Sequence, residues 1–118
     1  MTDLIACLSG GENSRAHVER LVQGQEWESV VLITNSEGKN NFRTSKQVQF
    51  ITVDFQKPIF ELIEDIRLGV KGKISDFDVA LNIVCGCGKE HMAILSALLK
   101  LGFGIRLVAL TKDGIKEL

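Results

Sequence analysis

Three observations predict an α/β domain built on a mostly parallel sheet. Five short apolar runs, residues 4–8, 30–33, 48–53, 77–84 and 105–110, have the length of strands. Amphipathic patterns of helical period fill most of the gaps between them, and glycine clusters follow the first and fourth runs. At 118 residues the chain is one domain, spanning residues 1–118 and long enough to bury a core of its own.

Residues 4–8 are continuously apolar, as a strand covered on both faces requires, and they run straight into the tight loop of Ser9, Gly10 and Gly11. Asn13 or Ser14 is placed to cap the helix that follows. Val18, Leu21 and Val22 recur along it at helical spacing, and Gly24 marks its end. Residues 30–33 form the second strand and 48–53 the third, to which Gln49 and Thr52 give an edge character. The polar stretch 35–47 between them has little apolar periodicity. Its length permits a right-handed crossover through a short or distorted helix, and an antiparallel pairing of the two strands stays open.

Pro58 suits the first turn of a helix in which Ile59, Leu62, Ile63 and Ile66 share one face while Glu61, Glu64 and Asp65 face out. The fourth strand, residues 77–84, leads into the loop 85–88 and a helix over about 90–101 that stops at Gly102. Residues 105–110 are the fifth and last strand. The preceding helix is apolar nearly all round: Met92, Ile94, Leu95, Leu98, Leu99 and Leu101 cannot all face one sheet. Either it packs against a second copy, making a homodimer, or further elements of its own chain cover it.

Hydrophobic residues make up 45% and charged residues 25%, the balance of a folded domain. Fourteen basic against fifteen acidic residues leave a net charge of −1, so there is no broad positive field for tracking nucleic acid. No apolar run reaches the length that spans a bilayer, and the amino terminus has no signal-sequence pattern, which predicts a cytoplasmic protein. Cys7, Cys85 and Cys87 are an odd count, expected as reduced thiols.

Wound in both directions, with strand order 3-2-1-4-5, these elements make a Rossmann-like three-layer sandwich. Ligands of such sheets collect outside the carboxyl ends of the strands where the winding reverses, here between the first and fourth. The flanking loops, 9–14 and 85–91, are the two glycine-rich stretches. Each opens a helix, whose unpaired N–H groups and dipole favour an anion, so a nucleotide or other phosphate-bearing small ligand is expected. Ser9, Gly10, Gly11, Asn13 and Ser14 are the candidate contacts in the first loop, and Gly86, Gly88 and Lys89 in the second. Asn82, at the end of an otherwise apolar strand, is placed to reach a base or ribose.

The segment Asn82-Ile-Val-Cys-Gly-Cys-Gly-Lys89-Glu-His-Met92, with its Ala/Leu-rich helix, Gly102 and following strand, resembles the second motif of CRISPR-associated Rossmann-fold (CARF) domains. The resemblance covers the whole chain as architecture and this segment as motif. It implies a homodimer whose paired loops bind a cyclic oligoadenylate or related nucleotide, with Lys89, Gly86 and Gly88 as phosphate contacts. Members of that family commonly continue into an effector domain, whereas this chain stops at Leu118 soon after its fifth strand, as a standalone module or a fragment does.

Separately, Ser9-Gly-Gly-Glu-Asn-Ser14 resembles the pyrophosphate-cradling loop of the pyrophosphatase-loop ATP-dependent ligases and thiolases, with Asn13 where that family carries an aspartate. The resemblance implies a small ATP-using enzyme.

Other chemistries are less well supplied. Cys85, Cys87 and His91, with Cys7 on the neighbouring strand, lack the paired spacing of a structural zinc site, so small buried thiols are the expected reading. A Cys87 nucleophile beside His91 has no third partner to complete it. His17 is assigned no role, no metal or cofactor is expected, and the catalytic residues of any enzyme reading stay open. The leading expectation is therefore a nucleotide-binding or nucleotide-sensing homodimer. The alternatives are a small ATP-using or nucleotide-cleaving enzyme on the same loops, and an interaction module with an empty crevice.

Overall fold

The computed structural model describes residues 2–118. Its elements run β1 (Asp3–Leu8), α1 (Glu12–Gln23), β2 (Ser29–Thr34), α2 (Ser36–Asn41), β3 (Gln49–Thr52), α3 (Ile59–Val70), β4 (Asp78–Asn82), α4 (Gly88–Lys100), β5 (Gly104–Thr111) and β6 (Gly114–Glu117). They form a six-stranded sheet of order β3-β2-β1-β4-β5-β6. The first five strands are mutually parallel in the predicted order, and β6 pairs antiparallel to β5.

β1 is central because it is apolar on both faces: Leu4, Ile5, Ala6 and Cys7 are fully buried. Ile5 lies between Val31 of β2 and Leu81 of β4 and faces the layer of α3 and α4. Leu4, Ala6 and Leu8 face the opposite layer, where Val18, Leu21 and Val22 of α1 complete a second core. Alternation along one strand thus divides its side chains between two cores.

Residues 35–47 make the parallel crossover. Asn35 caps the short α2 by accepting a hydrogen bond from the Gly38 N–H at 2.9 Å. Phe42 packs edge-on against Phe50 at the second core, and polar contacts tie the rest of the segment to α1 and the turn after it. The Arg43 N–H donates to Glu19 at 2.7 Å, the Gln23 amide to Thr44 at 2.8 Å, and Lys46 to Glu26 at 2.6 Å.

The sixth strand corrects the expectation of five. Lys112 and Asp113 turn the chain, Gly114 follows at φ +104°, and Thr111 pairs with Gly114 across the turn. This is the arrangement of a type I turn followed by a glycine bulge, which a polar tail can adopt without an apolar signal.

The apolar helix is α4, and its cover comes largely from its own chain. Ala93, Ile94, Ala97 and Leu98 are buried in the core shared with α3, and Leu95 and Leu101 are partly covered there. Met92 and Leu99 are each 64% exposed. Among the described residues no helix is long and apolar enough to cross a membrane.

Candidate functional site

Because β1 and β4 are neighbours while their following helices lie on opposite faces, their carboxyl ends open into a crevice. Its volume is about 410 Å³, and it is lined by Ser9, Gly10, Ser14, Asn35, Phe55, Gln56, Gly86, Cys87 and Glu90. Residues after β1, β2, β3 and β4 thus meet in one place. A larger concavity of about 480 Å³ lies at the other end of the sheet, walled by Trp27, Glu26 and Lys46. Among the described residues no glycine loop or long-helix amino terminus lines it, so the crevice is the better candidate.

The two glycine loops are joined directly. The Ser9 N–H donates to the Cys85 sulfur at 3.0 Å, and the Cys85 thiol donates back to the Ser9 carbonyl. Burial pushes the Cys85 thiol above its ordinary range and the neighbouring Cys7 thiol up to about 12, so both stay protonated and act as packing groups and weak donors. Cys87 is exposed, and all three cysteines are free.

On the second loop, the His91 ring donates from Nε2 to the Cys85 carbonyl at 2.9 Å, closing the turn at the start of α4. Glu90 reaches back over that turn. Its Oε1 accepts from the Cys87 N–H at 3.0 Å and from the Ser9 hydroxyl at 2.5 Å, capping α4 and bridging the loops at once. Gly86 makes room for this, with φ at +102°. A Cβ built there would lie 2.7 Å from Glu90 Oε1, 3.0 Å from Cys7 Sγ and 3.1 Å from Ser9 Oγ.

Ser9, Gly10, Ser14 and Gly86 of the expected residues line the crevice. Gly11, at the N-cap of α1, and Asn13 are exposed beside it, and Gly88 begins α4 with open space around its Cα. Two others point elsewhere. Lys89 sends its Nζ to the Phe55 carbonyl at 3.1 Å, tying α4 to the loop after β3. Asn82, expected at a base or ribose, is fully buried. Its Nδ2 donates to the Val108 carbonyl at 3.0 Å and its Oδ1 accepts from the Val84 N–H at 3.3 Å, so backbone groups of β5 and of the chain after β4 consume it.

Sequence reasoning missed Asn35, Phe55, Gln56 and Glu90, and weighed Cys87 only as a zinc ligand or nucleophile. The spacing Cys87-x-x-Glu90 is that of a capping box, with a thiol where serine or threonine is usual, and that signal could have found the glutamate. Arg15 was missed as well. It lines a small cleft beside the crevice with Ser9, Gly10 and Asn35.

No protein-family model and no curated protein matches the chain. Among solved structures it is similar to protein VC1899 from Vibrio cholerae, with a TM-score of 0.59 and 14% identity, covering 98% of this chain and 33% of that one. The likeness shows the fold. The chain spans about a third of the length of VC1899.

Proposed function

We propose that this chain is a nucleotide-binding module that takes its ligand in the crevice between β1 and β4. The observation that carries the reading is the meeting of the loops after β1 and β4 at the point where the sheet reverses its winding, in a crevice open to a small molecule. Gly11 caps α1 without a side-chain hydrogen bond, so the first-turn N–H groups are not consumed by a cap, and Arg15 stands on the same helix beside them. That end of the crevice suits a phosphate. Asn35, Phe55 and Gln56 line the rest, where polar residues beside an apolar one suit a base.

Two copies pairing through the exposed Met92 and Leu99 of α4, each sensing a cyclic oligoadenylate or a related nucleotide, is the fuller form of the proposal. A thermal-shift screen of mononucleotides, dinucleotides and cyclic oligoadenylates tests it. A true ligand at a hundred times its Kd adds about 2.7 kcal/mol of stability, which is about ten degrees for a domain of this size. No shift with any of the three classes overturns the reading.

A further inference from the structure

Glu90 is the one charged side chain among the residues that line the crevice. It does not hang there by chance of rotamer. Oε1 is fixed by the Ser9 hydroxyl and the Cys87 N–H, and the absence of a side chain at Gly86 leaves it space. Both contacts fall on Oε1, and Oε2 takes part in neither. The site therefore presents a preorganised carboxylate oxygen, which accepts hydrogen bonds and repels a phosphate.

Among the described residues no lysine or arginine lines this part of the crevice to offset that charge. The nearest candidate by sequence, Lys89, is turned to the Phe55 carbonyl, and Arg15 belongs to the neighbouring cleft. A ligand group that meets Glu90 must bring its own donors. Within a nucleotide two neutral groups do so in a fixed pair, the N1–H and N2–H of guanine and the 2′- and 3′-hydroxyls of the ribose; the diol is common to every ribonucleotide, and a carboxylate takes it well.

We infer that Glu90 is the ribose acceptor of this site, holding the cis-diol of the nucleotide through Oε2 while the phosphate lies away from it, toward the start of α1. The assignment rests on the nucleotide-binding reading above and, within it, selects ligands with a free ribose diol, which mononucleotides carry and cyclic oligoadenylates linked through the 3′ oxygen do not. It also bears on how α4 is used. The first turn of α4 is neutralised by a glutamate that bonds back to it and lines the crevice, whereas Glu12 in the first turn of α1 is exposed and outside the lining, so the anion-binding end of the crevice is that of α1.

The test is calorimetric titration of the wild type and Glu90→Gln with AMP, 2′,3′-dideoxy-AMP and ribose 5-phosphate. Glutamine keeps the capping geometry at this position, so the variant should fold. Wild type should bind AMP about ten-fold or more tightly than the dideoxy nucleotide, and ribose 5-phosphate should bind measurably. Glu90→Gln should lose that factor for AMP and nothing for dideoxy-AMP. Equal affinity of wild type for the two nucleotides overturns the ribose assignment and leaves the nucleotide reading standing, and needs no variant. Tighter binding of AMP by Glu90→Gln overturns it too, by making the carboxylate a competitor of the ligand. Failure of wild type to bind any of the three overturns the ribose assignment, and the nucleotide reading falls with it only when the thermal-shift screen is silent for all three of its classes.

Discussion

His17 Nε2 of α1 lies 3.3 Å from Asn82 Nδ2 at the end of β4. The second hydrogen of that amide goes to the Val108 carbonyl, so the imidazole nitrogen can only accept, and His17 is neutral with its proton on Nδ1. One contact thus couples the first helix to the strand end behind the crevice.

A pH dependence follows with a definite sign. Burial, with Arg20 nearby as the smaller cause, holds the His17 pKa below its ordinary 6.5. The unfolded chain therefore takes up the proton first. The contribution of His17 to stability is complete above about pH 6.5 and is lost as pH falls through that value toward the folded pKa. Chemical denaturation at about pH 7.5 and 5.5 should show a lower midpoint at the acid pH for wild type, and a smaller difference for His17→Asn. The same drop in both proteins would remove His17 as its source.

Lys89 should matter little to a ligand in the crevice. Its ammonium sits on the Phe55 carbonyl, and its charge in the first turn of α4 opposes the helix dipole. Lys89→Ala is expected to change stability by less than about 1 kcal/mol, because the lost hydrogen bond and the relieved charge offset each other. Nucleotide affinity should change by less than about three-fold on isothermal titration. A loss of roughly ten-fold or more would place the ammonium at the ligand.

Two loop glycines should respond unequally to a side chain. At Gly86 a Cβ meets Glu90, Cys7 and Ser9 and the backbone has positive φ, so Gly86→Ala should cost about 1–3 kcal/mol in urea denaturation. At Gly11 φ is −80° and nothing lies within 4 Å of a built Cβ. Gly11→Val should fold with a loss of about 1 kcal/mol or less, reflecting only the poorer N-cap. It is therefore the cleaner probe of backbone approach to a ligand, and unchanged affinity in that variant would move the phosphate off the first loop.

Leu98 and Leu99, adjacent on α4, separate folding from pairing. Leu98 is fully buried, and Leu98→Glu should abolish the cooperative transition by placing an unpaired carboxylate in the core. Leu99 is 64% exposed, so Leu99→Glu should keep the melting temperature within a few degrees. If two copies pair through this face, sedimentation should show wild type as a dimer and Leu99→Glu as a monomer. A wild-type monomer at micromolar concentration would remove the dimer from the proposal.

By itself the amino-acid sequence determined the layers and the order of the parallel strands. The unbroken apolar runs of β1 and β4 required cover on both faces, the glycines after them required turns, and the helical stripes in the gaps supplied the cover. It also brought the loops of Ser9 and Gly86 together, since adjacency of β1 and β4 follows from that order. Tertiary structure alone decided which side chains face the crevice. Whether Asn82 meets a ligand or the Val108 carbonyl, and whether Lys89 reaches inward or to Phe55, depends on β5 and on the loop after β3, elements 26 and 34 residues away in the chain. Glu90 was hidden for the same reason. Its capping contact is local, but the hydroxyl that fixes it in the crevice belongs to Ser9, 81 residues earlier, and no periodicity within α4 records a partner that arrives from another strand.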